Sequence, residues 1–218
     1  FPNPFNVILE FFRLFLNFEV FLDLFRTLWR VLMAIVVGSL IGVSIGLVFG
    51  YFEKIYLMFE FVIDFFRSIP VASLFPLFML FFGIGDVSKI ALASWMVIWI
   101  LLINTAYGVR HSSKSYLRMA KVYNVRKSYL FSNILFFGAL PHIFSGLRVG
   151  VSIALILIIV SEMFIGAVDG LGYSILNAQL AYNIPEMYAI IFLTGVIGYF
   201  LNKAFLLVER KMIYWSEN

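Results

Sequence analysis

Apolar residues dominate the chain in long blocks, and polar residues fall mostly between them. Residues 31–52, VLMAIVVGSLIGVSIGLVFGYF, hold no charge over 22 positions, about the length that crosses a bilayer as a helix. Further apolar blocks occupy about 88–107, 142–166 and 187–208. The stretch 55–83 is less clean, with Glu60, Asp64 and Arg67 followed by Pro70 and Pro76. A proline removes a helical hydrogen bond and bends the chain, so this stretch predicts a bent helix distorted around Ser68–Pro70. The covered chain therefore reads as an all-α polytopic membrane protein with five spans.

Residues 5–26, FNVILEFFRLFLNFEVFLDLFR, are apolar but regularly charged. On a helix, Glu10, Arg13 and Asn17 share one face, and Glu19, Asp23, Arg26 and Arg30 share a nearly opposite one. One straight helix cannot keep both faces wet. The pattern predicts two short interfacial helices over 1–30, broken near Asn17, ahead of a transmembrane domain over 31–218. Pro2 and Pro4 mark an extended lead-in.

Loop charges orient the spans. The segment 108–141 carries Arg110, Lys114, Arg118, Lys121, Arg126 and Lys127 and no acid, and Arg210 and Lys211 fall on the same side. The opposite side receives Asp86, Asp169 and Glu186. Basic loops stay in the cytoplasm, so 108–141 and the C-terminus are expected there, in a bacterial inner membrane. Residues 1–30 then lie outside, which predicts a further span ahead of Phe1 and six in the intact subunit.

Composition agrees with lipid as the solvent. Of 218 residues, 63% are hydrophobic and 13% charged, where a soluble domain carries about a quarter charged. The net charge of +4 is explained by the basic loops rather than by nucleic acid. There is no cysteine, so disulfides and thiolate metal sites are excluded. His111 and His142 have no companion ligands, so no metal site is expected. The chain lacks a P-loop, a nucleophile elbow, an HExxH helix and a paired-carboxylate site, so it is not expected to be an enzyme.

Three features could carry function. Gly38, Gly42, Gly46 and Gly50 recur every four residues and draw a smooth stripe for close helix packing or for a surface that slides during transport. In the basic segment, Arg110, Lys114, Arg118 and Lys121 share one helical face, with Tyr116, Met119, Ala120 and Tyr123 on the other, followed by a turn at Asn124. Such a helix either rests on anionic headgroups or docks a cytoplasmic partner. Ionisable groups near the spans are the third feature. Arg148 is expected to snorkel to the surface, Asp64 and Arg67 to pair across one turn, and Arg67, Ser161 and Glu162 are candidates for a translocation path, with capping of neighbouring backbone groups as the other reading of Glu162.

Several pieces in order, PNPFNV (2–7), TLWRVLMAIVVGSLIGVSIGLVFG (27–50), RSIPVASLFPLFMLFFGIGDVSK (67–89), NTAYGV (104–109), LPHIFSGLRVG (140–150), SEMFIGAVDGLGY (161–173) and ERKMIYW (209–215), resemble the permeases of binding-protein-dependent ABC importers, type I, in the nitrate/sulfonate/taurine branch. The family's cytoplasmic hallmark is EAA, three residues, Gly, then an apolar residue and Leu-Pro. Ala120, Leu140 and Pro141 match it; Arg118, Met119 and Asn124 stand where Glu, Ala and Gly are usual. Asn still accepts the left-handed turn that Gly provides. The resemblance implies that Tyr116–Asn124, Leu140 and Pro141 dock an ABC ATPase subunit, with Leu117 on the docking helix. It also implies ATP and Mg on that partner and no cofactor in this chain. A second permease subunit (homodimer or close paralogue) and a periplasmic or lipid-anchored substrate-binding protein would complete the importer. The expected cargo is a small anion such as nitrate, sulfonate or taurine. The departures in the hallmark motivate one alternative, a structural or assembly subunit that moves nothing; a passive channel is a third reading, and a thiamine precursor and bicarbonate are the alternative cargoes for an importer of this branch.

Overall fold

The computed structural model describes residues 3–111, 119–120, 122–126, 129–166 and 168–213. In hydrocarbon every backbone N–H and C=O must be satisfied within its own segment, and the described chain is correspondingly helical. The elements are α1 (Pro4–Leu14), α2 (Phe18–Tyr51), α3 (Glu53–Ser68), a 3-10 turn (Val71–Leu74), α4 (Phe75–Phe82), α5 (Asp86–His111), a π-helical turn (Leu130–Leu135), α6 (Phe136–Phe164), α7 (Leu171–Leu180) and α8 (Ile184–Met212).

Among the described residues, four helices are long and apolar enough to cross a membrane: Phe18–Tyr51, Asp86–His111, Asn133–Phe164 and Ile184–Met212. The expected bent segment is also present. Glu53–Ser68 and Val71–Phe82 meet at 86°, because Ile69 and Pro70 take extended backbone between them. This pair carries the chain from one end of the bundle to the other. The neighbours of α2 and α5 rise together, from Gly38 beside Val97 to Gly50 beside Val109, so the two helices run parallel. Only a return crossing between them allows that. The fifth span is therefore α3–α4.

The N-terminal reading needs correction. The break at Asn17 exists: its side-chain oxygen accepts the Glu19 N–H at 3.0 Å and caps α2. No second short helix follows, however, and α2 runs unbroken for 34 residues, about 51 Å at the standard rise. The expectation of a wet charged face failed because Arg30 needs no water; it is 2% exposed and paired with acids from other elements. Phe18, Phe21, Phe25 and Trp29 stay exposed on the opposite side, continuous with Leu32, Val36 and Leu40.

The core is a seam of α2, α5 and α6, formed by Val31, Ala34, Val97, Leu101, Val151, Ala154 and Ile158. The glycine stripe makes it close. A β-carbon on Gly42 would sit 2.6 Å from the Ile98 carbonyl oxygen, and one on Gly46 2.7 Å from that of Leu102. Backbone cannot retreat as a side-chain tip can, so these positions exclude any larger residue. Helices α5 and α6 run antiparallel, since Gly108 meets Ala139 and Gly146 meets Asn104. Helix α8 returns beside α6, with Gly198 against Leu155 and Arg148 paired to Glu209. The Met212 end therefore lies at the same end of the bundle as residues 119–126, opposite Arg30. Arg148 does not snorkel alone, as expected from sequence; it is neutralised by Glu209.

Gly46→Ala should cost about 1–3 kcal/mol through overpacking and lower the thermal midpoint of the purified protein in detergent. Gly195→Ala, where the added carbon meets nothing within 4 Å, should leave it unchanged or raise it slightly.

Candidate functional site

Two regions at opposite ends concentrate polar structure. At the first, Arg30 holds three carboxylates. Its Nε donates to Asp86 at 2.8 Å, its Nη1 to Glu162 at 2.6 Å, and its Nη2 to Asp169. Arg26 also reaches Asp169, at 2.6 Å, and Lys89 lies 3.7 Å from Asp86. Three carboxylates thus meet three cations. Glu162, 1% exposed, takes two further kinds of donor: the Thr27 hydroxyl at 3.0 Å and the Gly172 N–H at 3.0 Å. Thr27 in turn accepts the Leu171 N–H at 2.9 Å. Asp23 accepts the Gly170 N–H at 2.8 Å and the Ser174 hydroxyl.

These bonds tie α2, the start of α5, the end of α6 and the start of α7 into one clasp around residues 168–172. A buried charge is stable only when paired and hydrogen-bonded, and each carboxylate here has both. Gly170 permits the tight passage: its φ is +104°, and a β-carbon there would lie 2.5 Å from the Glu162 carboxyl. Beside the clasp a second small core forms from Leu14, Val20, Leu171, Ile175, Ala189 and Ile190, which seats α1 on α8 with Phe11 edge-on to Phe192 at 5.1 Å.

This placement bears on the path candidates. Ser161 is fully buried and donates to the Ile158 carbonyl at 2.8 Å. Glu162 faces Arg30. Neither has surface for a solute in this arrangement, because the sequence position near a helix end gave no sign of partners 132 and 135 residues away. Arg67 is exposed at the α3–α4 bend and lies 3.5 Å from Asp64, the expected one-turn pair, which contributes little at a surface.

The second region is the basic segment. Tyr116, Leu117, Arg118 and Lys121 lie outside the described residues. Ala120 is buried among Val109, Leu130, Leu135, Ala139 and Ile143, at the ends of α5 and α6. Met119, Val122 and Tyr123 face outward, the last two 79% and 78% exposed. Asn124 has φ +48°, and the Val125 N–H reaches back to the Ala120 carbonyl at 2.9 Å. That six-to-one bond around a left-handed residue is a Schellman stop. Leu140 is buried with Phe144 and Ile213, and Pro141 sits within α6. The hallmark residues thus form a short helical turn, a left-handed stop, and an anchor into the core.

Residues 34–214 match the family described as binding-protein-dependent transport system inner membrane component. The chain belongs to this family. The permease is 29% identical over 217 residues to the putative aliphatic sulfonates transport permease protein SsuC of Bacillus subtilis, covering 100% of this chain and 78% of that protein. It is 31% identical over 147 residues to the nitrate import permease protein NrtB of Synechocystis, covering 67% and 53%. In fold it matches a structure titled inward facing conformations of the MetNI methionine ABC transporter, with a TM-score of 0.75 at 18% identity, over 86% of this chain and 93% of that one.

The chain is accordingly a multi-pass ABC importer permease with the type I fold, and not the ATPase. An importer of this kind works with an ATPase and a substrate-binding protein. The permease reading stands over the non-transporting subunit. Sequence reasoning missed Arg30, Thr27 and Asp169. The Gly-rich run 166–173 and the unusual charges of 19–30 were the available signals, but their pairing is not local.

Glu162→Ala leaves Arg30 paired with Asp86 and Asp169 but removes the buried acceptor of the Thr27 hydroxyl and the Gly172 N–H, and should cost about 1–3 kcal/mol, seen as a lower thermal midpoint in detergent. Arg26→Ala removes a half-exposed partner and should cost less than about 1 kcal/mol.

Proposed function

We propose that this permease imports a small anion, of the nitrate or sulfonate kind, across a bacterial inner membrane. The observation that carries the reading is the similarity, along the whole of this chain, to a putative aliphatic sulfonates permease, with the match to a nitrate permease beside it. The acid-free segment 108–141 supports a cytoplasmic position for it and for the C-terminus. ATP and Mg reside on the ATPase partner, and a second permease subunit, a copy or a close paralogue, completes the path.

The coupling element is the turn Met119–Val125. Met119, Val122 and Tyr123 offer an apolar face to the ATPase, while Ala120 and Leu140 root the element in the ends of α5 and α6. A push on the outer face then reaches two core helices through one buried contact. ATP binding on the partner biases the bundle at this end, and the binding protein biases it at the clasp end. A two-state bundle driven from both ends is what alternating access requires.

Asn124 provides the test, because its φ of +48° admits Gly freely and opposes a β-branched residue. In vesicles containing the complete transporter, Asn124→Gly should keep uptake near the wild-type rate. Asn124→Val should lower uptake at least about tenfold while ATP hydrolysis persists, a barrier change of about 1.4 kcal/mol or more. Equal uptake by both variants would remove the coupling role.

A further inference from the structure

Helix α5 presents an unusual face to α3 and α4. Trp95, Trp99 and Arg110 fall within about 60° of one another around the helix axis. Trp99 stacks on Phe66 of α3, with centroids 5.8 Å apart and planes 10° apart. Trp95 meets Phe66 edge-on at 5.5 Å and Phe78 of α4 at 6.3 Å. The Arg110 guanidinium lies over the Tyr56 ring of α3, 3.6 Å from its centroid. Both indole N–H groups, and Nε and Nη2 of Arg110, are buried with no hydrogen-bond partner among the described residues. Among the described residues Arg110 makes no ion pair, although α3 carries Glu53, Glu60 and Asp64.

Buried donors without acceptors are costly, and native proteins keep few. Four such atoms gather on this face and all four are donors, while those of Thr105, Arg148 and Asn202 lie elsewhere. Indole and guanidinium have no acceptor at all. A group of this kind is complementary to a guest that only accepts. An oxyanion does so, and guanidinium meets planar or tetrahedral oxyanions with two parallel N–H bonds. The cover over this face is lightly buried. Helix α3 buries only Ile63 and α4 buries nothing, and the pair is bent at Ile69–Pro70.

We propose that Trp95 and Trp99, with Arg110 some 16 Å further along α5, are two donor stations for a small oxyanion, uncovered when α3–α4 moves off α5. The stations select the cargo inside the permease, after the binding protein has released it. This rests on the importer reading given above. The competing account makes Tyr56–Arg110 and Phe66–Trp99 staples between helices, with no cargo contact.

The test uses vesicles holding permease, ATPase and binding protein, with nitrate, methanesulfonate and a pyrimidine precursor of thiamine as probes. Wild type should take up nitrate or methanesulfonate with ATP. Arg110→Gln should lower that uptake about tenfold or more, with ATP hydrolysis stimulated by the binding protein kept within twofold. Arg110→Lys should recover part of it. Trp99→Phe keeps the stacked ring and removes only the N–H; it should lower uptake several-fold with an unchanged thermal midpoint. Wild-type uptake by both Arg110→Gln and Trp99→Phe would overturn the proposal. So would a joint loss of uptake, hydrolysis and thermal midpoint, the mark of a staple. ATP-driven uptake of the pyrimidine alone would overturn the stations and leave the importer standing. No ATP-driven uptake of any probe would overturn both.

Discussion

Arg30 in its ring of carboxylates is the contact on which its end of the bundle depends. A buried guanidinium next to exposed aromatics such as Trp29 is admissible only if its charge is cancelled and its N–H groups are all engaged. Asp86, Glu162 and Asp169 do both. They come from the start of α5, the end of α6 and the loop after it, so satisfying one side chain fixes the relative height of three elements. Thr27 and Asp23 extend the same logic to the N–H groups at the start of α7. Charge and backbone polarity are settled together, and residues 168–172 become part of the bundle end rather than a free loop.

At the other end the constraint is steric. Helices α2 and α5 run parallel and touch through Gly38, Gly42, Gly46 and Gly50, which brings their backbones close over about three turns. Parallel neighbours need a return crossing, and the bent α3–α4 pair provides it with few buried side chains of its own. The result is a rigid seam of α2, α5 and α6 with a lightly attached span beside it. Ala120 and Leu140 root the short turn Met119–Val125 in the ends of α5 and α6. A transporter needs such a division, because motion at one end reaches the other only through elements that do not bend.

The sequence made much of this legible. Lipid-length apolar blocks located the spans, Pro70 located the bend, and the four-residue glycine period marked the close seam. Asn124 was readable as a left-handed stop because only Gly, Asn and Asp visit that region readily, and it does so. What sequence could not show was pairing at a distance. Arg30 looked as if it needed water because its partners lie 56, 132 and 139 residues away. That one omission shortened α2 by thirteen residues and left Glu162 open between a backbone cap and a solute path. Arg148 was misjudged for the same reason, its partner being 61 residues on.

The central claim is that the turn around Tyr123 faces the cytosol and grips the ATPase. The chain has no cysteine, so Tyr123→Cys would give a single reactive thiol at an exposed site. Labelling it with a membrane-impermeant maleimide is the direct measurement. The account predicts reaction in inside-out vesicles stripped of ATPase, and protection once the ATPase subunit is added back. Reaction from the outside of intact cells, or labelling indifferent to the ATPase, would contradict it.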